Sequence, residues 1–242
     1  MSKELFNYFD KRHMKEILRQ APSDDGPVIT LSRQSGCDGR LVAEAAAMLL
    51  NIRGKTDRWR TVDREIVRAV ATAIDTDPKR IETFYKGVEN SNLSEMIMAV
   101  SEDFISDQTI KRVIEEVVLS ICKEGYVVMV GGAGISIAQG VVNSLHVRLT
   151  APFYWRVENV MGKHDIPIDE AEESILLSDE RRFKTIQTFL KQRSVNIDYL
   201  FDSIINRSRF NINQTASLIV SLYEARRASI EDAASTGARF SG

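Results

Sequence analysis

The sequence is poor in cysteine, in net charge and in long apolar runs, and each shortage excludes a class of protein. Its two cysteines are too few for a disulfide framework and form no metal-binding pattern. A formal net charge of -2 provides no overall basic field for nucleic acid or an anionic membrane. No apolar run approaches the ~20 residues that cross a bilayer, and the N-terminus has no signal-peptide core. We therefore expect a cytoplasmic protein with reduced thiols, which binds neither nucleic acid nor a membrane.

The pattern that is present is typical of a globular α/β protein. The chain is 43% hydrophobic and 27% charged, and 242 residues suffice for one large α/β domain. Short apolar runs alternate with helical segments, which predicts a doubly wound parallel sheet. Ligands bind such sheets beyond the carboxyl ends of the strands, so the loops after the strands should share one rim. The strands are predicted at 28–31, next to Val62, at 126–130, at 145–149 and at 202–206.

Helical periodicity covers most of the remaining sequence. Residues 2–20 predict an amphipathic helix that packs on the domain or on a second subunit. One expected partner is therefore a second copy of the chain, bound through this helix in a homo-oligomer. Residues 21–26 have linker composition, and the tail from Asp232 is expected to be frayed. Further helices are predicted after Asp63, from Asp77-Pro78, up to a C-cap at Gly125, around Trp155, over 169–193 and over 213–230.

The chain is organised around Pro27–Leu49, where a strand, a glycine-containing loop and a helix follow one another. The N–H groups of such a loop and of the helix N-terminus attract an anion, so this order predicts a phosphate cradle. The apolar face of the helix is assigned to Leu41, Val42, Ala45, Met48 and Leu49.

The loop matches the phosphate-binding motif G-x-x-x-x-G-K-[ST] only in part. Gly39 is retained, whereas Gln34 replaces the first glycine, Arg40 the lysine and Leu41 the magnesium-binding hydroxyl residue. Cys37, inside the loop, has two interpretations. The loop N–H groups would favour its thiolate, but free cysteines are usually structural, and we favour the structural role.

Six segments follow one another in a fixed order along the chain: ITLSRQSGCDGRLVAEAAAMLL, VDREIV, YVVMVGGAG, HVRLTAP, DERRFKT and FDSIINRSRFNI. Together they resemble the cytidylate-kinase-like branch of P-loop nucleoside monophosphate kinases. That branch typically has S-R-[EQ]-x-G-[SC]-x-G-R after the first strand, D-R-E after the second, V-G-R-G-A after the third and N-x-S after the last. The resemblance covers roughly residues 27–222, and its specificity lies in the complete series.

The resemblance implies a P-loop NTPase fold, a three-layer α/β/α arrangement with a five-stranded parallel sheet. The kinase-like domain would span 27–231, with a helical NMP-binding insert at 63–125 and a lid region at 164–200. The N-terminal helix and linker, 1–26, and a flexible tail, 232–242, would lie outside it. The implied reaction transfers the γ-phosphoryl group of ATP, with Mg²⁺, to a nucleoside monophosphate, and CMP or dCMP is the expected acceptor.

The resemblance also assigns roles to residues. Arg40 would reach the β- and γ-phosphates, Arg181 and Arg182 would neutralise the transferring phosphoryl group from the lid, and Arg156 would stack on adenine. A solvated helix face is the alternative for the lid arginines. The ATP-binding set is Ser35, Gly36, Cys37, Asp38, Gly39, Arg40, Leu41 and Arg156, the acceptor-binding set is Asp63, Arg64, Gly131 and Gly132, and the catalytic set is Arg40, Arg181 and Arg182.

Departures from the family pattern leave three functions open. Leu41 cannot bind Mg²⁺, so Asp38, Asp63 or Ser35 would have to contribute, and Gly132 stands where the family has an arginine facing the acceptor. The first function is a nucleoside monophosphate kinase. The second is a nucleotide-binding regulatory or interaction protein with a degenerate site, and the third is a kinase for another phosphate-bearing acceptor.

Overall fold

The computed structural model describes residues 26–63, 65–87, 106–131, 133–190 and 196–236. The predicted N-terminal helix, Arg64 and Gly132 lie outside these ranges. The elements are β1 (Val28–Arg33), α1 (Gly39–Gly54), β2 (Arg60–Val62), α2 (Glu65–Ala73), α3 (Pro78–Gly87), α4 (Asp107–Glu124), β3 (Val127–Val130), α5 (Gly134–Ile137), β4 (Ser144–Thr150), α6 (Phe153–His164), α7 (Ile168–Phe189), β5 (Ser203–Asn206) and α8 (Ile212–Thr236).

The five strands form one parallel sheet in the order β2-β3-β1-β4-β5. β1 is the central strand, and its apolar side chains on both faces are buried, as expected in a sheet covered on both sides. Leu31 is in register with Val130 of β3 and with Val147 of β4. The carboxyl ends of the strands therefore meet along one rim, and the predicted doubly wound α/β class is confirmed.

Two apolar cores lie on opposite faces of this sheet. On one face Val28 and Met129 pack with α2, α3 and α4, and Ile66, Ile81 and Ile114 are fully or almost fully buried there. On the other face the sheet packs against α1 and α8. The side chains that α8 contributes to this core are all buried: Ala216, Ile219, Val220 and Tyr223.

The apolar face assigned to α1 from the sequence is wrong at two positions. Leu41 and Met48 are 44% and 65% exposed. From Leu41 to Leu50 every residue except Glu44 is apolar, so periodicity alone defines no single face. The inner face is rich in small side chains, which allow α1 to approach the sheet and α8 closely. Its buried side chains are Val42, Ala43, Ala46, Ala47 and Leu50.

Several element ends follow local signals in the sequence. α4 ends at a C-cap Gly125 with a φ of 68°, a left-handed conformation that glycine adopts without strain. α8 continues beyond Asp232 to Thr236, so helix covers the first residues of the segment expected to be frayed. Within the described ranges, no helix combines the length and apolar character that a membrane span requires.

Candidate active site

The loop between β1 and α1 lies at the carboxyl end of the central strand and is fixed by α6. Arg156 Nη1 donates a hydrogen bond to the Ser35 carbonyl at 3.1 Å, and Asn159 Nδ2 donates to the Gly36 carbonyl at 2.6 Å. Gly36 has a φ of 84°, and a Cβ there would lie 2.8 Å from the Arg156 carbonyl oxygen. Only glycine therefore fits this turn of the loop.

The N-terminus of α1 is uncapped. The N-cap residue is Asp38, in the left-handed region with φ 56° and ψ 32°, and its side chain makes no capping hydrogen bond. The N–H groups of the first helical turn, Gly39–Leu41, have no acceptor within the helix. The positive end of the helix dipole and these donors make the helix N-terminus suitable for an anion.

Asp38 instead directs its carboxylate toward α6 and the turn after β5. Its Oδ2 accepts a hydrogen bond from Asn159 Nδ2 at 3.0 Å and lies 3.7 Å from Arg207 Nη2. Its Oδ1 is bound by the ammonium group of Lys163. These partners occupy both carboxylate oxygens, so Asp38 is poorly placed as a magnesium ligand.

Cys37 is fully buried in the core between the sheet and α1. Burial raises the pKa of its thiol to about 11, although Arg156 acts in the opposite direction. The thiol therefore stays protonated at neutral pH, and the structural role favoured from the sequence agrees with this environment. Contacts between Cys37 and a phosphate would have to use its backbone.

Arg40 and Leu41 lie on the outer side of the first turn of α1. The Arg40 side chain is 68% exposed and its Nε lies 2.8 Å from Glu44 Oε1. This hydrogen bond raises the pKa of Arg40 above its ordinary value. For Arg40 to reach a phosphate at the helix N-terminus, its side chain has to leave Glu44.

Asp179 connects α7 to the loop. Its Oδ1 accepts a hydrogen bond from the backbone N–H of Ser35 at 2.6 Å, and its Oδ2 accepts one from Arg156 Nη1 at 2.6 Å. Arg182 Nη1 lies 3.3 Å from Oδ1. Arg156 is thus buried between the loop and α7 and is not placed to stack on adenine, contrary to the sequence-based expectation.

A cavity of about 560 Å³ opens beside the loop, between the carboxyl ends of the strands and helices α2, α3 and α7. It brings together four of the predicted residues, Asp63, Gly131, Arg181 and Arg182, whereas Arg40 does not line it. Burial lowers the pKa of Arg182, and Asp179 opposes that effect. The other lining residues are Thr30, Leu31, Ser32, Arg33, Ile66, Val67, Glu82, Tyr85, Ala133, Ile135, Ser178, Thr185 and Ile186.

Arg33 is a functional candidate that the sequence analysis missed. It is the last residue of β1, lines the cavity, and places its Nη2 3.9 Å from Asp63 Oδ1. Gly131, with a φ of 69°, leaves the space for it, because a Cβ at Gly131 would overlap the Arg33 guanidinium. Its position at the carboxyl end of the central strand was the signal that could have identified it.

Tyr85 and Glu82, on α3, were also missed by the sequence analysis. Burial raises the pKa of Tyr85, so its hydroxyl is neutral, and this oxygen finds no hydrogen-bond partner within the described ranges. A search of the same residues finds no group of three or more His, Cys, Asp or Glu side chains that could hold a metal. The sequence offered Asp38, Asp63 and Ser35 as magnesium ligands, and of these Asp63 lines the cavity.

Comparisons with known proteins identify the family and the fold of the chain. The family model described as the cytidylate kinase-like family matches residues 28–209. With the five-stranded parallel sheet, this match confirms the P-loop NTPase fold. No curated protein matches the sequence.

Solved structures include two similar chains. A crystal structure of an uncharacterized protein from Eubacterium ventriosum is 16% identical, with a TM-score of 0.55, and the match covers 82% of this chain and 98% of that chain. Shikimate kinase from Bacteroides thetaiotaomicron is 12% identical, with a TM-score of 0.45, and the match covers 82% of this chain and 98% of that chain. The first of these shows a shared fold.

Proposed function

Because the chain belongs to the cytidylate kinase-like family, we propose that it transfers the γ-phosphoryl group of ATP to a nucleoside monophosphate, with CMP and dCMP as the first acceptors to test. The observation that carries this proposal is the uncapped N-terminus of α1 at the edge of an arginine-lined cavity. The first feature suits the phosphates of a donor nucleotide, and the second suits an anionic acceptor.

The donor phosphates are proposed to bind the first turn of α1. Gly39–Leu41 offer backbone N–H groups, and Gly36 and Gly39 let the backbone pass close to its neighbours. A Cβ at Gly39 would lie 2.9 Å from Arg33 Cγ, so a larger residue there would displace a side chain of the cavity. Arg40 would add its charge after leaving Glu44.

The acceptor phosphate is proposed to bind in the cavity. Three arginines line it, Arg33, Arg181 and Arg182, together with the carboxylates of Asp63 and Glu82. Its volume of about 560 Å³ lies within the ~300–1,000 Å³ typical of small-molecule sites. Arginines in such a site neutralise the charge that spreads over a phosphoryl group during transfer, and closure of the lid excludes water.

Mg²⁺ fits this site as an ion held mainly by ATP and water. Proteins commonly bind Mg²⁺ through one or two carboxylates together with substrate phosphates. Two carboxylates line the cavity, Glu82 and Asp63, and Asp63 is the one that the sequence offered as a candidate ligand. When bound, the ion would offset the negative charge of the phosphate groups. The role of Asp63 is then to hold a water or the ion while remaining near Arg33.

The test is a turnover screen with ATP and Mg²⁺ against CMP, dCMP, UMP, AMP and GMP. We expect ADP formation that depends on an added monophosphate and is fastest with CMP or dCMP. Sugar and cofactor phosphates extend the screen to the third function. ATP binding without turnover on any acceptor would exclude the kinase proposal.

A regulatory nucleotide-binding protein is the second candidate, and two observations favour it. Leu41, at the usual position of the metal-binding hydroxyl, is 44% exposed and offers no ligand, and Arg40 is engaged by Glu44 rather than directed at the cavity. This candidate predicts that ATP binds and that no acceptor is phosphorylated, so the same screen separates the two.

A further inference from the structure

Asp38 is an acidic residue in a loop that, under the proposed function, has to hold phosphate groups. An aspartate at the N-cap ordinarily accepts hydrogen bonds from the first N–H groups of its helix. Here the Asp38 side chain makes no such bond. The N-terminus of α1 therefore keeps both its donors and its positive partial charge, although a carboxylate belongs to the adjacent residue.

Three side chains explain why Asp38 does not cap the helix. Lys163 and Asn159, one turn apart on α6, each donate a hydrogen bond to the carboxylate, one to Oδ1 and one to Oδ2. Arg207 adds a second cation, with its Nη2 3.7 Å from Oδ2. Only 9% of the Asp38 side chain is exposed, so the carboxylate is enclosed by its partners rather than by water.

The charges in this cluster matter as much as its hydrogen bonds. Two cations face one carboxylate, so the negative charge next to the phosphate cradle is more than neutralised. Arg207 is itself buried, and its position is fixed by a hydrogen bond to the Phe210 carbonyl and by the Trp155 ring 5.7 Å away. Lys163 is 41% exposed and is therefore the member that can be replaced with the least disturbance of packing.

We propose that Lys163, assisted by Arg207, is a positioning residue that holds the Asp38 carboxylate away from the N-terminus of α1 and so keeps the cradle open for the phosphates of a nucleotide. Without Lys163, the carboxylate would turn toward the free N–H groups and the helix dipole. It would then compete with phosphate for the same donors. The inference rests on the proposed function for the identity of the anion.

The experiment measures ATP and pyrophosphate binding by calorimetry, without an acceptor, on the full chain. We expect Lys163→Met to weaken binding roughly tenfold, the size of a competing helix cap. Lys163→Arg retains the positive charge and should bind within about twofold of the unsubstituted chain. Lys123→Met, which removes an exposed lysine of α4, is the matched control for net charge and should leave binding unchanged.

A double substitution identifies the mechanism. Asp38→Gly removes the competing carboxylate and suits the left-handed backbone at this position. Asp38→Gly combined with Lys163→Met should therefore bind as well as Asp38→Gly alone. Binding in the double variant as weak as in Lys163→Met would mean that Lys163 acts on the nucleotide directly, and this would overturn the proposal, as would unchanged binding in Lys163→Met.

Amide hydrogen exchange without nucleotide provides a readout independent of ATP binding. If Asp38 caps the helix in Lys163→Met, the amides of residues 39–41 should exchange more slowly than in the unsubstituted chain. Unchanged or faster exchange would count against the inference even if the chain bound no ATP. ATP binding without phosphoryl transfer would instead overturn the proposed function and leave this inference to be judged by the binding and exchange data.

Discussion

The carboxylate of Asp179 accepts a hydrogen bond from the backbone N–H of Ser35, with 2.6 Å between Oδ1 and the nitrogen. The two residues are 144 positions apart in the chain. The same carboxylate binds Arg156 below the loop and faces Arg182, an arginine of the cavity. Asp179 thus joins α7, the loop and α6 at one point. Substituting Asp179 therefore shows how far the site depends on contacts between distant parts of the chain.

Asp179→Asn should destabilise the protein by about 2 kcal/mol. The substitution leaves the Arg156 guanidinium buried without its counter-charge, which is more costly than the loss of an exposed ion pair. Denaturant unfolding measures the change. Glu180→Gln, at the exposed neighbouring residue, is the control and should lie within about 0.5 kcal/mol of the unsubstituted chain. Equal stability of the two variants would contradict the buried role of this ion pair.

Arg40→Ala should lower kcat on the order of 10²-fold if Arg40 leaves Glu44 and stabilises charge on the transferring phosphoryl group. Single-turnover kinetics separate this effect from ATP binding. Glu44→Gln weakens the competing interaction while leaving Arg40 in place, and it should retain or raise kcat. A normal rate for Arg40→Ala would show that Arg40 stays on the surface beside Glu44 and takes no part in phosphoryl transfer.

Arg182→Gln should also lower kcat by about 10²-fold or more, because this arginine of α7 lines the cavity where, under the proposed function, charge develops during transfer. Steady-state kinetics with varied acceptor concentration measure both kcat and KM. The control is Arg53→Gln. Arg53 lies at the other end of α1 and pairs with Glu224 of α8. Comparable rates for the two variants would indicate that α7 contributes only a solvated charged face.

Gly131→Ala should weaken acceptor binding by more than tenfold. The added Cβ would overlap the Arg33 guanidinium, and the residue has a φ of 69° that alanine adopts only with strain. Titration with an unreactive monophosphate measures the effect, and thermal unfolding reports the cost in stability. The control is Gly140→Ala, where a Cβ meets no atom within 4 Å. Normal acceptor affinity in Gly131→Ala would remove Arg33 from the acceptor site.

The buried His146 predicts a loss of stability in mild acid. Its Nδ1 lies 2.8 Å from Thr30 Oγ1 and its Nε2 3.1 Å from Ser144 Oγ. Burial lowers the pKa of His146 below its ordinary value of 6.5, although the carboxylate of Asp202 opposes the shift. The unfolded chain therefore binds a proton more readily than the folded chain, and the free energy of unfolding should fall as the pH decreases below about 6.5.

His146→Gln should remove this part of the pH dependence, because glutamine has no group that titrates in this range. Unfolding curves at several pH values between about 5 and 8 measure the difference between the two proteins. His164→Gln, which replaces a histidine at the exposed end of α6, is the matched control. Parallel pH profiles for all three proteins would rule out His146 as the source.

The sequence predicted the order of elements better than their faces. Helices and strands follow from local periodicity and from terminal signals such as Pro78 and Gly125, which act within a few residues. The inner face of α1 could not be assigned, because a helix with apolar residues on all sides is oriented by its neighbours. The small side chains at Ala43 and Ala46 face the sheet, and the larger Met48 is exposed.

The sequence analysis found the candidate residues to which a motif assigned a role. It missed those whose place at the cavity depends on the folded structure. Asp63, Gly131, Arg181 and Arg182 came from motifs, and they share one cavity. Arg33 occupies the arginine position of the first motif, but the sequence analysis gave that position no role. Its place at the cavity arises from the parallel strands that end beside it.

The sequence by itself determined the α/β class, the strand–loop–helix unit and the family resemblance, because these depend on short-range patterns and on motif order. Only the tertiary structure decided where the charged side chains of the site point. Asp38 turns away from its own helix because α6 brings Lys163 to it and the turn after β5 brings Arg207. Arg156 is buried because Asp179 and the Ser35 carbonyl meet there. Such directions depend on partners that are distant in the chain, and no local pattern encodes them.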